Sequence, residues 1–455
     1  MSLSISRLPV WALILLFGPT PDVWAASPVE IGGRLELFAD DYLLGELKGN
    51  LSREVLQPEP REVVFTTGEP WEGNTSGYFG LFQDGKIFRM IYRGWQHDAK
   101  KKAVHDETTC YAESADGIHW TKPKLGLFEW NGSRENNIVW LGVGTHAFAA
   151  FRDDNPEVPP EARYKAFGRG RGGLVAFQSP DCQHWQLIQE KPVITRGAFD
   201  SQNLGFWDQE RGEYRAYWRY FDNKVRAIRT ATSKNFITWE NEADLAYSPG
   251  TPTEHLYTNA VLKYFRAPHI FVGFPTRFEP KSQEVEPIFM MSRDGKTFHR
   301  YAKPVIPRDA PQDRNHNRSN YMAWGMLQLP GKPNEISVYG TENYYEKTPG
   351  RLRRFVYRVD GFVALRGGSE GGQATTRTLR YTGRRLLLNY VVRPGGTLTI
   401  EAFDAVGKSL GQSKPLSGDA VDAPVAWVRD PQFNQGLVQL RFTLKNADVY
   451  SLRFN

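Results

Sequence analysis

Two acidic residues stand just ahead of aromatic, strand-like runs. Asp200 lies in "FDSQN" (199–203) and Glu254 in "TEHLYTN" (253–259). A carboxylic acid and a carboxylate facing each other across a cleft can protonate a leaving oxygen and supply a nucleophile or base. Asp41 in "LFADDYLLG" (37–45) is a third carboxyl that could reach the same cleft from a leader strand. Around these lie groups suited to gripping hydroxyls: Glu72, His146, Gln202, Asn203, His255, Tyr257, Arg318, Asn320, Glu342 and Tyr344. Carboxylates, imidazoles, amides and aromatic faces together form the mix that sugar chemistry uses. Propellers that only bind glycans use it too, so a non-catalytic glycan-binding or assembly role is the alternative.

These residues share a face only if the chain repeats. It does. "ESADGIHW" (113–120) recurs as "QSPDCQHW" (178–185), "TSKNFITW" (232–239) and "MSRDGKTF" (291–298), with a degenerate "YRVDGFVAL" (357–365). Asp116, Asp181, Asn235, Asp294 and Asp360 mark the copies at intervals of 54 to 66 residues, and such a period signals a repeat architecture. Each copy follows two turn-linked apolar runs, as in "NLGFWDQERGEYRAYWR" (203–219). Short runs bounded by turn residues read as hairpins. Two hairpins per unit make a four-stranded sheet, and radial repetition of such sheets is a β-propeller. The expected fold is all-β: a five-bladed propeller over 26–366, followed by a C-terminal β-sandwich over 374–455. "GGSEGGQ" (367–373) serves as a flexible joint between them, and the period-two alternation of "RLLLNYVV" (385–392) supports the sandwich.

The repeated motif itself builds structure. Ser and Asp side chains bond backbone amides in turns, and Gly accepts a left-handed backbone. One Asp and one Ser are too few oxygens for calcium. Asp153 and Asp154 in "FRDDNP" (151–156) align with the hairpin turns of "FWDQERG" and "LFQDG", at the far end from the mouth, and read as turn builders. The polar residues ahead of each first strand are the ones that converge. Arg93, Arg169, Arg219 and Arg277 follow the second strands and reach the same mouth.

The composition narrows the class. Of 455 residues, 13 are Trp, 20 Tyr and 27 Phe, while 42 Gly and 29 Pro leave little room for long helices. Residues 1–25 read as a secretory signal: Arg7, the apolar "LPVWALILLF" (8–17), then "VWA" (23–25). The expected product is secreted or periplasmic, with no membrane span. Cys110 and Cys182 are expected to pack inside rather than form a framework. The net charge of +6 is dispersed and lacks a nucleic-acid character; it is compatible with an acidic polymer as ligand. No phosphate loop, His-Glu-x-x-His, paired Cys-x-x-Cys or nucleophile elbow is present. No cofactor and no metal are expected, and "HDAKKKAVHDE" (97–107), with His97, His105 and Asp106, reads as a solvated loop.

On these motifs the sequence resembles the five-bladed propeller glycosidases of glycoside hydrolase families 32 and 43, as a divergent member. "TSKNFITW" is similar to their Ser-x-Asp-Leu-x-x-Trp blade turn, and the trailing sandwich to the family 32 layout. The resemblance implies exported glycan hydrolysis by an Asp nucleophile or base and a Glu acid, roles that would fall to Asp200 or Asp41 and to Glu254. The Trp-Met-Asn-Asp-Pro and Glu-Cys motifs of family 32 are absent, and Gln202 stands where the usual Asp-Pro position falls.

Overall fold

The computed structural model describes residues 27–307 and 321–455. The signal-like segment and the expected ligands Arg318 and Asn320 lie outside these residues. Strands are the dominant element of the described chain, and its one helical element is a short 3-10 turn at Pro160–Ala162. No helix among these residues is long and apolar enough to cross a membrane.

Four antiparallel sheets follow one another in a propeller-like arrangement. The first holds Gly77–Asp84, Ile87–Gly94, Thr108–Ser114 and Trp120–Thr121, with Ile138–Trp140 beside its third strand. The second holds Gly144–Arg152, Tyr164–Gly170, Gly173–Ser179 and Gln186–Leu187. The third runs Leu204–Asp208, Glu213–Asp222, Val225–Ser233 and Glu240–Asp244. In the fourth, Leu262–Tyr264, Ala267–Gly273, Val285–Ser292 and Thr297–Pro304 keep the same order, with short extra pairings around them. A further three-stranded sheet joins Glu335–Glu342 and Arg351–Arg358 to Glu59–Thr66, from near the start of the chain. Innermost residues tie the sheets across the centre. Gln202 Nε2 donates to the Phe79 carbonyl (3.1 Å), and Trp324 Nε1 to that of Val261 (2.9 Å).

Inner strands are packed on both faces, so they read as continuous apolar runs rather than as alternation. Ala147 to Phe151 in "THAFAAFR" are all buried. Full burial of one such Phe contributes about 1.5–3 kcal/mol.

The repeated turns join third to fourth strands in all four sheets. In the first, Ser114 Oγ accepts from Gly117 N (2.8 Å), while Asp116 Oδ1 accepts from Ile118 N and His119 N (2.9 and 2.8 Å). The same pattern recurs at Asp181, Asn235 and Asp294. The residue after the acidic position is left-handed in every copy: Gly117, Cys182, Phe236 and Gly295 have φ between 64° and 74°. Cys182 and Phe236 tolerate this because both are fully buried, and Phe236 stacks on Phe167 at 4.6 Å. Replacing Asp116 by Ala should therefore cost about 1 kcal/mol, as loss of a comparable side-chain cap does, with glycan turnover unchanged. Chemical denaturation beside an activity assay checks this, and turnover falling with stability intact would contradict it.

Asp360, the fifth copy, does not make this turn. Its carboxylate is buried and accepts from Tyr264 Oη, Arg266 Nε (3.0 Å), Asn389 Nδ2 (3.2 Å) and Ser451 Oγ (2.7 Å). Tyr264 and Arg266 belong to the fourth-sheet hairpin, while Asn389 and Ser451 lie on C-terminal strands, so Asp360 joins two sheet systems instead of closing one hairpin.

The expected joint at 367–373 is also corrected. It lies inside the strand Val363–Thr376, which pairs with Leu44–Val55 on one side and Gly436–Phe454 on the other. Its glycines serve close approach rather than flexibility: a Cβ on Gly372 would meet the Lys48 carbonyl oxygen at 2.4 Å. Val29–Gly32 pairs in parallel with Leu379–Tyr381. The division at residue 366 thus does not separate the two systems, because the first strands of the chain complete the C-terminal ten-stranded sheet. That sheet has its own core, including Phe38, Leu388, Ile400, Phe442 and Val449. Cys110 and Cys182 are buried and unpaired.

Candidate active site

A cavity of about 970 Å³ opens at the end where the first strands begin. His146 lines it. Its Nδ1 lies 2.7 Å from Glu107 Oε1 and its Nε2 lies 2.9 Å from Asp200 Oδ1. The three residues come from three sheets. Glu107 directly precedes the third strand of the first sheet, His146 is the third residue of Gly144–Arg152, and Asp200 leads into Leu204–Asp208. The backbone helps to aim them. Tyr78 and Ala147, equivalent residues of neighbouring first strands, hold φ of 53° and 56°, and both strands slip register there. Such bulges turn a side chain away from the regular pleat, and non-glycine residues in this region carry strain that surrounding packing must offset.

The walls are aromatic and charged. Tyr78, Trp95, Trp130, Tyr257, Phe278 and Tyr344 contribute rings. The guanidinium of Arg93 lies over Tyr78 and Trp95 at 4.6 and 4.9 Å, and it donates to Tyr344 Oη (2.9 Å) and the Thr75 carbonyl (2.8 Å). Arg93 also lies 3.4 Å from Glu107.

The carboxylates are held in their charged form. The hydrogen bond from His146 depresses Asp200 to about 2, against the opposing effect of burial and with help from the charges of His146, Arg219 and Arg169. Burial pushes Glu107 upward, but the His146 hydrogen bond and the Arg93 charge outweigh it and leave the group below its ordinary value. Burial lifts Tyr344 to about 12. Accessibility separates the two acids. Asp200's side chain is 53% exposed and Glu107's 16%, so Asp200 is the carboxylate a ligand can touch while Glu107 sits behind the histidine.

His146→Ala removes the largest cause of Asp200's depression and leaves Glu107 as a like-charged neighbour. The acidic limb of the kcat profile should move up by about one pH unit or more. A pH–rate profile checks this. An unmoved limb would show that His146 does not control Asp200.

The structure brings together six of the residues expected at the mouth: Asp200, His146, Tyr257, Tyr344, Arg93 and Arg169 all line the cavity. Gln202 lies deeper, bonded to Phe79 at the centre, and Asn203 is buried in its own loop through the Phe199 and Ser201 carbonyls. Glu254 does not line the cavity. It pairs with Arg277 (2.9 Å) and Arg300 (3.3 Å), because Arg277 on Thr276–Phe278 runs beside His255–Leu256 and claims it. His255 accepts from Arg226 N (3.2 Å) and is likewise outside the lining. Glu72 is buried against Lys122 (2.7 Å) and Tyr92 Oη, where burial raises its pKa above the ordinary value. Glu342 is buried between Arg351 (2.8 Å) and Arg353 (2.7 Å). Asp41 points elsewhere: it pairs with Arg53 and is 77% exposed, while neighbouring Asp40 pairs with Arg293 of the repeated turn, at the end opposite the mouth. Asp153, by contrast, holds its hairpin turn, accepting from Asn155 N (3.0 Å) and Tyr214 Oη (2.6 Å).

Glu107, Trp130 and Arg226 escape a reading confined to first-strand starts and second-strand ends, while Trp95 directly follows a second strand and is missed beside Arg93. Third strands also begin at the mouth, and "HDE" (105–107) directly precedes one. Applied there, the same register argument finds Glu107. No group of three or more His, Cys, Asp or Glu among the described residues is placed to hold a metal.

No family model matches the chain, and no curated protein does. Solved structures similar to it include glycoside hydrolases. A thermostable family-43 glycoside hydrolase shares 14% identity over 65% of this chain and 95% of its own, with a TM-score of 0.46. The family-32 β-fructofuranosidase of Bombyx mori shares 11% over 86% and 94%, at 0.44. An endo-arabinase from Bacteroides thetaiotaomicron shares 9% over 65% and 98%, at 0.43. Scores below one half carry no function across, so the functional reading rests on the chemistry of the cavity.

Proposed function

We propose that the protein is a secreted glycoside hydrolase acting on a poly- or oligosaccharide, with Asp200 as nucleophile or base. The observation that carries this reading is the Glu107–His146–Asp200 chain, which ends on a half-exposed, ionised carboxylate inside an aromatic-walled cavity. Asp200 is charged at any working pH and so is suited to attack or to deprotonate water, but not to donate. His146 and Glu107 are positioning residues that fix its orientation. The acid role passes from Glu254, whose charge Arg277 and Arg300 occupy, to Asp106 or Glu129. Both line the cavity, are exposed, and have no ion-pair partner among the described residues. Ring faces such as Trp95 and Trp130 offer apolar contact to a pyranose or furanose.

The finer architecture is read with the site. The three-stranded sheet serves as a fifth blade, since Met322 and Leu327 bridge to Gly340 and Ser337 on the inner side of Glu335–Glu342. Glu59–Thr66 then closes the ring as its outer strand. The ten-stranded system forms the C-terminal sandwich, extended by the strands before residue 56.

The test is a panel of glycans scored for both binding and sugar release. Release from at least one that binds supports the hydrolase. Binding across the panel with no release favours the non-catalytic glycan-binding or assembly protein instead.

A further inference from the structure

We infer that Arg226, backed by Arg219 and accompanied by Arg169, forms an anion subsite that recognises the carboxylate or sulfate of an acidic sugar. The inference rests on the glycan reading and names the substrate class of that same cavity. Arg226 and Arg169 both line it, and neither has a carboxylate within ion-pair distance among the described residues. Arg93, on the first sheet, differs in having a carboxylate partner: it lies 3.4 Å from Glu107 and donates to Tyr344 and the Thr75 carbonyl, although its Nε is also without a partner among the described residues.

Arg226 is held in place without being neutralised. Its guanidinium lies over Phe278 at 4.6 Å and Tyr257 at 5.3 Å. Arg219 lies over the same Tyr257 ring at 4.8 Å with a side chain only 5% exposed. Two donors here are buried and unsatisfied: Arg226 Nε and Arg219 Nη1 have no hydrogen-bond partner among the described residues. A buried charged donor left unpaired is costly, and an incoming anion would relieve that cost. Burial, then the neighbouring charge of Arg219, lowers the pKa of Arg226, as expected where positive charge is in excess. Asp200, a nearby carboxylate, lies 4.0 Å from Arg219 Nη2 and is already engaged by His146.

Guanidinium groups match the paired oxygens of carboxylates and sulfates in a planar fork, which an ammonium does not. The cavity is also polar end to end. Asp106 and Glu129, from the first-sheet side, are acidic, while Arg169 and Arg226 belong to the second and third sheets. An acidic sugar would therefore enter in one orientation.

The experiment measures binding of the full chain, by calorimetry, to oligogalacturonides and to the same oligomers with reduced carboxyls. A second arm uses sulfated and desulfated galactan oligosaccharides. The charged member of at least one pair should bind tenfold or more tighter. In Arg226→Gln that preference should fall at least tenfold, and Arg226→Lys should recover only part of it. Thermal melts of each variant verify folding. Preference in the uronate arm alone assigns a carboxylate, and in the galactan arm alone a sulfate. Equal affinity within both pairs, including no binding to either member, overturns the subsite, as does an unchanged preference in a folded Arg226→Gln protein. Tight charged binding without cleavage keeps the subsite and removes the hydrolase. Cleavage of neutral glycans with no charge preference removes the subsite alone.

Discussion

Asp200→Asn should release sugar about 10⁴-fold more slowly than the native protein while binding the same glycan within a few-fold. A loss of that size corresponds to about 5 kcal/mol of transition-state stabilisation, as expected for removal of a group that meets the reacting atoms. The substitution is nearly isosteric and keeps an oxygen that can accept from His146 Nε2, now 2.9 Å from the carboxylate. The site should therefore stay assembled and only the charge should go. Glu107→Gln should cost less, because Glu107 acts through the histidine and is largely covered. A loss confined to KM would instead mark Asp200 as a binding residue.

The second large effect concerns stability. Asp360→Ala should lower the unfolding free energy by about 3 kcal/mol, at the lower end of the 3–5 kcal/mol typical of breaking a buried charged pair. Arg266 keeps a second partner in Asp422 (2.8 Å), which moderates the penalty. Tyr264, Asn389 and Ser451 each lose an acceptor they share with it. Since these groups belong to the fourth sheet and the C-terminal strands, the C-terminal sheet should also become more open to amide exchange. Denaturant unfolding and hydrogen exchange check both points. A change below about 1 kcal/mol would show that Asp360 is not the link between the two systems.

Local chemistry was the most legible part of the chain. The turns at Asp116, Asp181, Asn235 and Asp294 depend on residues within a few positions of one another, so the strand order around them could be read directly. Counting from those turns placed His146, Asp200, Tyr257 and Tyr344 at the mouth. Contacts between distant segments were not legible. Asp41 is claimed by Arg53, and its neighbour Asp40 by Arg293, more than 250 residues away. Glu254 stands where a first strand should begin, but the chain there makes a short side pairing that delivers Arg277 to it. Asp360 resembles a turn residue by its neighbours and is captured by C-terminal strands. Glycines 367–373 resemble a linker in composition, yet they let Leu44–Val55 and Gly436–Phe454 approach closely from both sides. Glu107 was within reach, because it adjoins a strand start on the same end.

The central claim is that the cavity around Asp200 cleaves glycosidic bonds. Sugar release from a bound glycan, followed for the native protein and Asp200→Asn at equal concentration, tests it most directly. The native protein should release sugar steadily and the variant about 10⁴-fold more slowly. Equal release by both proteins, or binding by the native protein with no release at all, would contradict it.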